Sequence, residues 1–181
     1  MDEASDRQLV ARTRGGEANA FGELVRRYQI SVYNVCYRLL GDPQEAEDLA
    51  QEAFLRAYHR LRTYDDRRPF GPWMRRVAAN LCINELNARK ATLSFQEEFD
   101  QIAGEPSESP EPSGERREEV ERVRRALLRL PAHYRAVIEL RHYQEMSYDE
   151  IAGALGIGPG DVRTRLFRAR RMMAEWLRPN G

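Results

Sequence analysis

Between residues 17 and 39 the apolar side chains fall three or four apart. Phe21, Leu24, Val25, Tyr28, Val32, Cys36 and Leu39 form one stripe of a long amphipathic helix. Ahead of it, residues 5–14 predict a shorter helix with Leu9 and Val10 as its apolar contacts, stopped by Gly15-Gly16. Gly41 ends the long helix, and Asp42-Pro43 opens the next one. Asp suits the N-cap, Pro suits the first helical position, and acids follow in the first turn. This helix runs to about Leu61, and its Ala46, Ala50, Ala53 and Ala57 form a small-residue seam that lets a neighbouring helix approach closely. Thr63–Pro72 reads as a polar loop. Pro72 then opens a helix from Trp73 to about Arg89, with Met74, Val77, Ala78, Leu81 and Leu86 as core positions.

The periodicity stops at residues 96–119, QEEFDQIAGEPSESPEPSGERREE. Prolines, serines and acids exclude regular structure there, and self-repulsion keeps such a linker extended. Ser113 is a cap for the helix that follows, which carries Val120, Val123, Leu127 and Leu130 and ends at Pro131. Tyr134, Val137, Ile138 and Leu140 mark another. Ser147 and Glu150 then form a capping box at the start of a short helix with Ile151, Ala154 and Leu155 inward. Gly156 supplies a left-handed C-cap, with Ile157 folding back. A Gly-Pro-Gly turn leads to a last helix from about Asp161, with Val162, Leu166, Ala169 and Met173 inward. Two short helices around such a turn make a helix-turn-helix. Repeats and strand-period segments are missing, so the expected fold is all-α. It has two small helical domains, 1–95 and 120–181, joined by a flexible acidic linker at 96–119, and the second is a helix-turn-helix.

Charge sharpens this division. The chain has 29 basic and 29 acidic residues, a formal net charge of zero. Residues 1–95 hold 15 basic and 13 acidic side chains, 96–119 hold 2 and 9, and 120–181 hold 12 and 7. A clearly basic C-terminal part is thus hidden behind an acidic tether. Lys90 is the one lysine among the basic residues. Arginine suits bidentate phosphate and base contacts, but a genome-wide composition bias gives the same count.

Three helix faces carry candidate chemistry. On the last helix Arg163, Thr164, Phe167, Arg168 and Arg171 share the face opposite the core stripe. A helix entering a major groove needs cations for phosphates, forked donors for guanine edges and an apolar group for a thymine methyl. On the Pro43 helix, Asp48, Gln51, Glu52 and Leu55 lie opposite the alanine seam. That face reads either as solvated charge or, because Leu55 stands among acids, as a partner surface. Trp73, Arg76 and Asn80 share a side of the following helix with Asn84 and Asn87. Such groups suit unstacked bases, since rings stack and amides read edges; a core tryptophan with polar neighbours is the alternative.

Enzymatic signatures are missing. His59, His133 and His142 do not pair with Cys or acids at metal-ligand spacing. The sequence has no phosphate-binding glycine loop and no nucleophile elbow. Neither a cofactor nor a metal is expected. Cys36 and Cys82 sit in apolar helical patterns and are expected as buried free thiols. The sequence has no apolar run of membrane-spanning length, so no membrane insertion is expected, and MDEASDRQ does not read as a signal peptide. The expected location is cytoplasmic.

Three stretches, taken in order, resemble a bacterial RNA polymerase sigma factor of the extracytoplasmic-function (ECF) type. GDPQEAEDLAQEAFLRAYHRL is similar to the family's polymerase-binding helix. RRPFGPWMRRVAANLCINELNARK is similar to its promoter-melting and −10 segment. LRLPAHYRAVIELRHYQEMSYDEIAGALGIGPGDVRTRLFRARRMM is similar to its −35 reader. The resemblance implies a partner set of core RNA polymerase (β′ clamp helices and β flap), promoter DNA and an anti-sigma factor. It implies that Asp48, Gln51, Glu52 and Leu55 dock on the clamp helices. It also implies that Trp73, Arg76 and Asn80, with the loop at 63–71, hold flipped non-template bases. Arg163, Thr164, Phe167 and Arg168 match positions that read the −35 element, and the linker resembles the family's connector.

One departure stands out. The family has Pro directly after the Gly-Ile turn, then a residue, Gly and Thr. Here the order is Gly158, Pro159, Gly160, Asp161. An acid there favours the helix dipole and can accept from a cytosine amine, but it repels a phosphate. The rival reading is a stand-alone helix-turn-helix regulator that binds duplex DNA without polymerase.

Overall fold

Helices form where the apolar period is 3.6 and stop where caps and glycines stop them. The computed structural model describes residues 4–93 and 115–178. Among them lie helices α1 (Asp6–Arg14), α2 (Ala18–Leu40), α3 (Pro43–Arg60), α4 (Phe70–Leu93), α5 (Glu115–Arg129), α6 (Ala132–Ile138), α7 (Tyr148–Leu155) and α8 (Pro159–Leu177), with no strand. By contacts the chain divides into two units, Met1–Tyr37 with Asp42–Cys82, and Arg38–Gly41 with Ile83–Gly181.

In the first unit Ser5 and Gln8 close a capping box on α1, which buries Leu9, Val10 and Thr13. Gly16 takes a positive φ of 99° in the turn to α2. Along α2 the stripe is inward at Phe21, Leu24, Val32 and Cys36, while Val25 and Tyr28 are half-buried; the buried Leu39 falls in the second unit. Asp42 caps α3 by accepting from the Glu45 amide at 2.8 Å. All four seam alanines, at 46, 50, 53 and 57, are buried. A 3-10 turn, Leu61–Thr63, follows α3. Cys36 and Cys82 are buried free thiols.

The polar-loop expectation fails at its C-terminal end. α4 starts at Phe70, not at Pro72, and Phe70 is 1% exposed. Its ring lies 5.5 Å from Tyr28, 5.6 Å from Tyr64 and 5.4 Å from Trp73. Gly71 has a packing reason: a Cβ there would come within 2.7 Å of the Tyr28 ring. Met74, Ala78 and Leu81 are buried as expected, whereas Val77 and Leu86 are only half-buried.

In the second unit α8 packs on α5, α6 and α7. Helix α5 begins at Glu115, inside the stretch that composition assigns to the linker; residues 96–114, and with them the proposed Ser113 cap, lie outside the described residues. Leu127 and Leu130 are buried, but Val120 and Val123 are exposed. They fall early on α5, Val120 at 64% and Val123 at 36% exposure. After α6 the backbone widens into a π turn, Glu139–Tyr143.

The helix-turn-helix is built by its caps. Ser147 and Glu150 exchange both bonds of the capping box, at 2.8 and 3.2 Å. Gly156 is left-handed (φ 64°), and the Ile157 amide donates back to the Ala152 carbonyl at 3.1 Å. α8 starts at Pro159, two residues earlier than Asp161, because Gly158 is the N-cap and Pro suits the first helical position. Val162, Leu166 and Ala169 are buried, and Met173 is half-buried. Ser147→Ala removes the N-cap acceptor and should lower the unfolding free energy of the second unit by about 1 kcal/mol; urea unfolding followed by circular dichroism measures it, and an unchanged midpoint would show that the cap contributes nothing.

Candidate functional site

The inward stripe of α8 turns the rest of the helix to solvent. Arg163, Thr164, Phe167, Arg168 and Arg171 are all exposed. Phe167 is 66% exposed, a large apolar ring with no core to enter. Arg171 pairs with Glu175 at 3.3 Å, and the Thr164 hydroxyl donates to the Gly160 carbonyl at 3.1 Å. An open cleft beside this face is lined by His133, Tyr134, Asp161, Thr164, Arg165 and Arg168. Asp161 serves the turn, because its carboxylate accepts from the Gly158 amide at 3.3 Å, one of the donors left open at a helix start. Guanidinium forks around a bare phenyl ring are what a helix needs to meet phosphates, guanine edges and a thymine methyl.

The face of α3 opposite the alanine seam presents Asp48, Gln51 and Leu55, with Glu52 half-buried beside them. Asp48, Gln51 and Leu55 are exposed, Leu55 at 58%. Glu52 accepts from Arg56 at 2.7 Å, one turn on. An exposed pair of this kind contributes little to stability, so a partner's cation could replace it at small cost. Tyr58, which sequence reasoning passed over, extends this face. It is 43% exposed while its ring meets Phe21 edge-on at 5.1 Å. Its spacing from Leu55 was the available signal.

Trp73 and Arg76 are half-buried and Asn80 is exposed, along one side of α4. Trp73 is not sealed in the core. Its indole packs on Tyr64, ring centroids 4.7 Å apart, and on Phe70. Asn84 and Asn87 continue the exposed side. An aromatic surface beside a cation and amides can stack a base and bond its edge. Tyr64 and Phe70, within the loop the resemblance assigned here, and Tyr28 of α2, which the sequence did not single out for this corner, support it.

The same corner is electrostatically coupled to α1. The Tyr28 hydroxyl donates to Asp6, which also accepts from Arg27 at 2.9 Å. Burial, then the bond to Asp6, pushes the Tyr28 phenol up from 10.0 to about 12. Among the described residues no His, Cys, Asp and Glu side chains gather in a way that could hold a metal ion, and no helix there is long and apolar enough to cross a membrane.

Two family models match the chain: "Sigma-70 region 2" at residues 24–92 and "Sigma-70, region 4" at residues 120–173. Among similar proteins is the ECF RNA polymerase sigma factor SigW of Bacillus subtilis, 34% identical over 95% of this chain and 96% of its own length. The RNA polymerase sigma-H factor of Pseudomonas aeruginosa is 35% identical over 99% of this chain and 97% of its own. Among solved structures, CnrH in complex with the cytosolic domain of CnrY is similar with a TM-score of 0.55 and 27% identity, over 95% of this chain and 96% of that one. The sigma factor RpoE of Bartonella quintana, solved with the anti-sigma factor NepR, has a TM-score of 0.59 over 89% of this chain and 98% of that one; at 19% identity it bears on the fold alone.

A folded pKa above the unfolded one favours the native state below the unfolded value. The contribution of Tyr28 is therefore complete below about pH 10 and is lost as pH rises toward 12. Tyr28→Phe should flatten the fall in stability of the first unit across that window. Urea midpoints measured on both proteins at stepped pH test this; parallel curves would remove Tyr28 from the account.

Proposed function

The chain belongs to the ECF group of the sigma-70 family and directs core RNA polymerase to promoters to start transcription, and from that premise we propose how its faces divide the work. The body at 1–95 docks on polymerase and handles the −10 element, the body at 120–181 reads the −35 element, and 96–119 tethers them. The matched segments, 24–92 and 120–173, support this division, with α5 starting slightly before its second boundary.

Asp48, Gln51, Glu52 and Leu55 form the docking surface for the β′ clamp helices, and the second body meets the β flap. Arg163, Thr164, Phe167, Arg168 and Arg171 enter the major groove at −35. Trp73, Arg76 and Asn80 hold extruded bases of the non-template strand. Opening a few base pairs costs roughly a few kcal/mol, and stacking offsets it at about 1–3 kcal/mol per base. The observation that carries the reading is that a core-directed stripe on each of α3, α4 and α8 leaves every proposed contact residue outside the buried core. The chain itself performs no covalent chemistry; polymerase does, inside the cytoplasm. An anti-sigma factor is a further partner, supported by the similar CnrH, whose structure is a complex with the cytosolic domain of a second protein.

Run-off transcription by core polymerase with this chain on a promoter library tests the function; no transcript above core alone on any template would sink it. Asp48→Arg with Glu52→Arg should abolish co-elution with core while circular dichroism stays unchanged; retained co-elution removes the docking assignment. Arg168→Ala should weaken holoenzyme binding by about 1–3 kcal/mol at a selected −35 element. Equal loss on −35-scrambled templates would show that it makes no base contact.

A further inference from the structure

Helix α1 is clipped at both ends. At its start Asp6 bonds Tyr28 and Arg27 of α2. At its end Arg14 reaches across to the segment after α3. Its Nε and Nη2 donate to the Leu61 carbonyl at 3.2 and 2.9 Å, and Nη2 also donates to the Tyr64 carbonyl. Nη1 lies 3.8 Å from Oδ2 of Asp66, and Nε of Arg7 lies 3.9 Å from the same oxygen. The Leu61 carbonyl also accepts from the Tyr64 amide at 3.3 Å; both carbonyls lie at the C-terminal end of α3 and the 3-10 turn after it, where a cation is favoured. The loop closes on itself as well: the Tyr64 hydroxyl donates to the Arg68 carbonyl, and the Arg68 amide to the Asp65 carbonyl at 3.1 Å. The ring of Tyr64 carries the indole of Trp73 at 4.7 Å.

We propose that Arg14 is a positioning residue for −10 reading: it fixes the loop at 64–69 and, through the Tyr64 ring, the surface of Trp73 on which an extruded base stacks. The inference rests on the −10 assignment proposed above for Trp73. Arg14 touches no base. It sets where the loop backbone lies, and it draws the Asp66 carboxylate toward α1. Arg67 and Arg68, with side chains 84% and 75% exposed, remain at the open side of the loop. A lysine cannot replace the fork, because a single ammonium lacks the fixed spread of donors that spans two carbonyls and a carboxylate. Stacking is sensitive to placement, so a loop that wanders costs base preference before it costs the fold.

The test uses holoenzyme and a pool of short single-stranded DNA with a randomised core, with core polymerase alone as baseline. Bound strands are sequenced and total retention is measured for wild type, Arg14→Ala, Arg14→Lys and Trp73→Ala. Arg14→Ala should lower retention about tenfold, within the effect of one lost base stack, and flatten the base preference, while affinity for core is unchanged. Arg14→Lys should restore the thermal midpoint but not the preference. A sharp, wild-type preference in either Arg14 variant overturns the positioning role; if Arg14→Ala does not fold, Arg14→Lys decides alone. Wild-type retention by Trp73→Ala shows instead that the −10 surface is misassigned, and the role of Arg14 falls with it.

Discussion

A helix that has buried its apolar arc has lost its freedom to rotate, and this one constraint orients every face described above. On α8, Val162, Leu166 and Ala169 are buried against α5, α6 and α7. Arg163, Phe167 and Arg168 have no other direction left. On α3 the seam of four alanines does the same with the smallest side chains available. Small residues bring backbones close, so the helix is held by shape as much as by apolar area. What points outward on α3, Asp48, Gln51 and Leu55, follows from where the alanines point.

Caps set the second coordinate, position along the axis. Gly156 turns left-handed and returns the Ile157 amide to α7, and Pro159 restarts the chain after a single intervening residue beyond Ile157. The displaced Pro159 is accommodated by starting α8 on it. Asp161 then falls three residues past the N-cap, where its carboxylate closes the Gly158 amide. The departure from the family's Pro and Thr pattern is therefore coherent: proline is displaced by one place, Asp161 stands where the family has Thr, and the acid's bond holds the start of α8.

Much of the fold was legible because its signals are short-range. The period of α2, the alanine seam, the Asp42-Pro43 start and the Ser147 capping box are each contained within a few turns of chain. What escaped reading depends on distant partners. Phe70 was hidden in a stretch of charge and proline, and only its contacts with Tyr28, Tyr64 and Trp73 make it core. Val120 and Val123 had the right period but stay outside the buried core. Arg14 lies 47 residues from Leu61 and 50 from Tyr64, and a lone arginine at a helix end predicts no particular acceptor. The candidate faces were legible as patterns of side chains; their roles came with the resemblance, since a charged helix face alone reads equally well as solvated surface.

Exposure by itself would have chosen the wrong residues. Ile30 is 71% and Val120 64% exposed, as much as Leu55 or Phe167, and single apolar side chains on a surface are ordinary. Company separates them. Leu55 stands among Asp48, Gln51 and Glu52, and Phe167 stands between arginines that flank it on one helical face. Trp73 is backed by a packed aromatic layer beside Arg76 and Asn80. In each case one apolar group that gains by losing water sits within polar groups that set what can come near it. That pairing gives both energy and selectivity, which neither an isolated hydrophobe nor a charged face supplies alone.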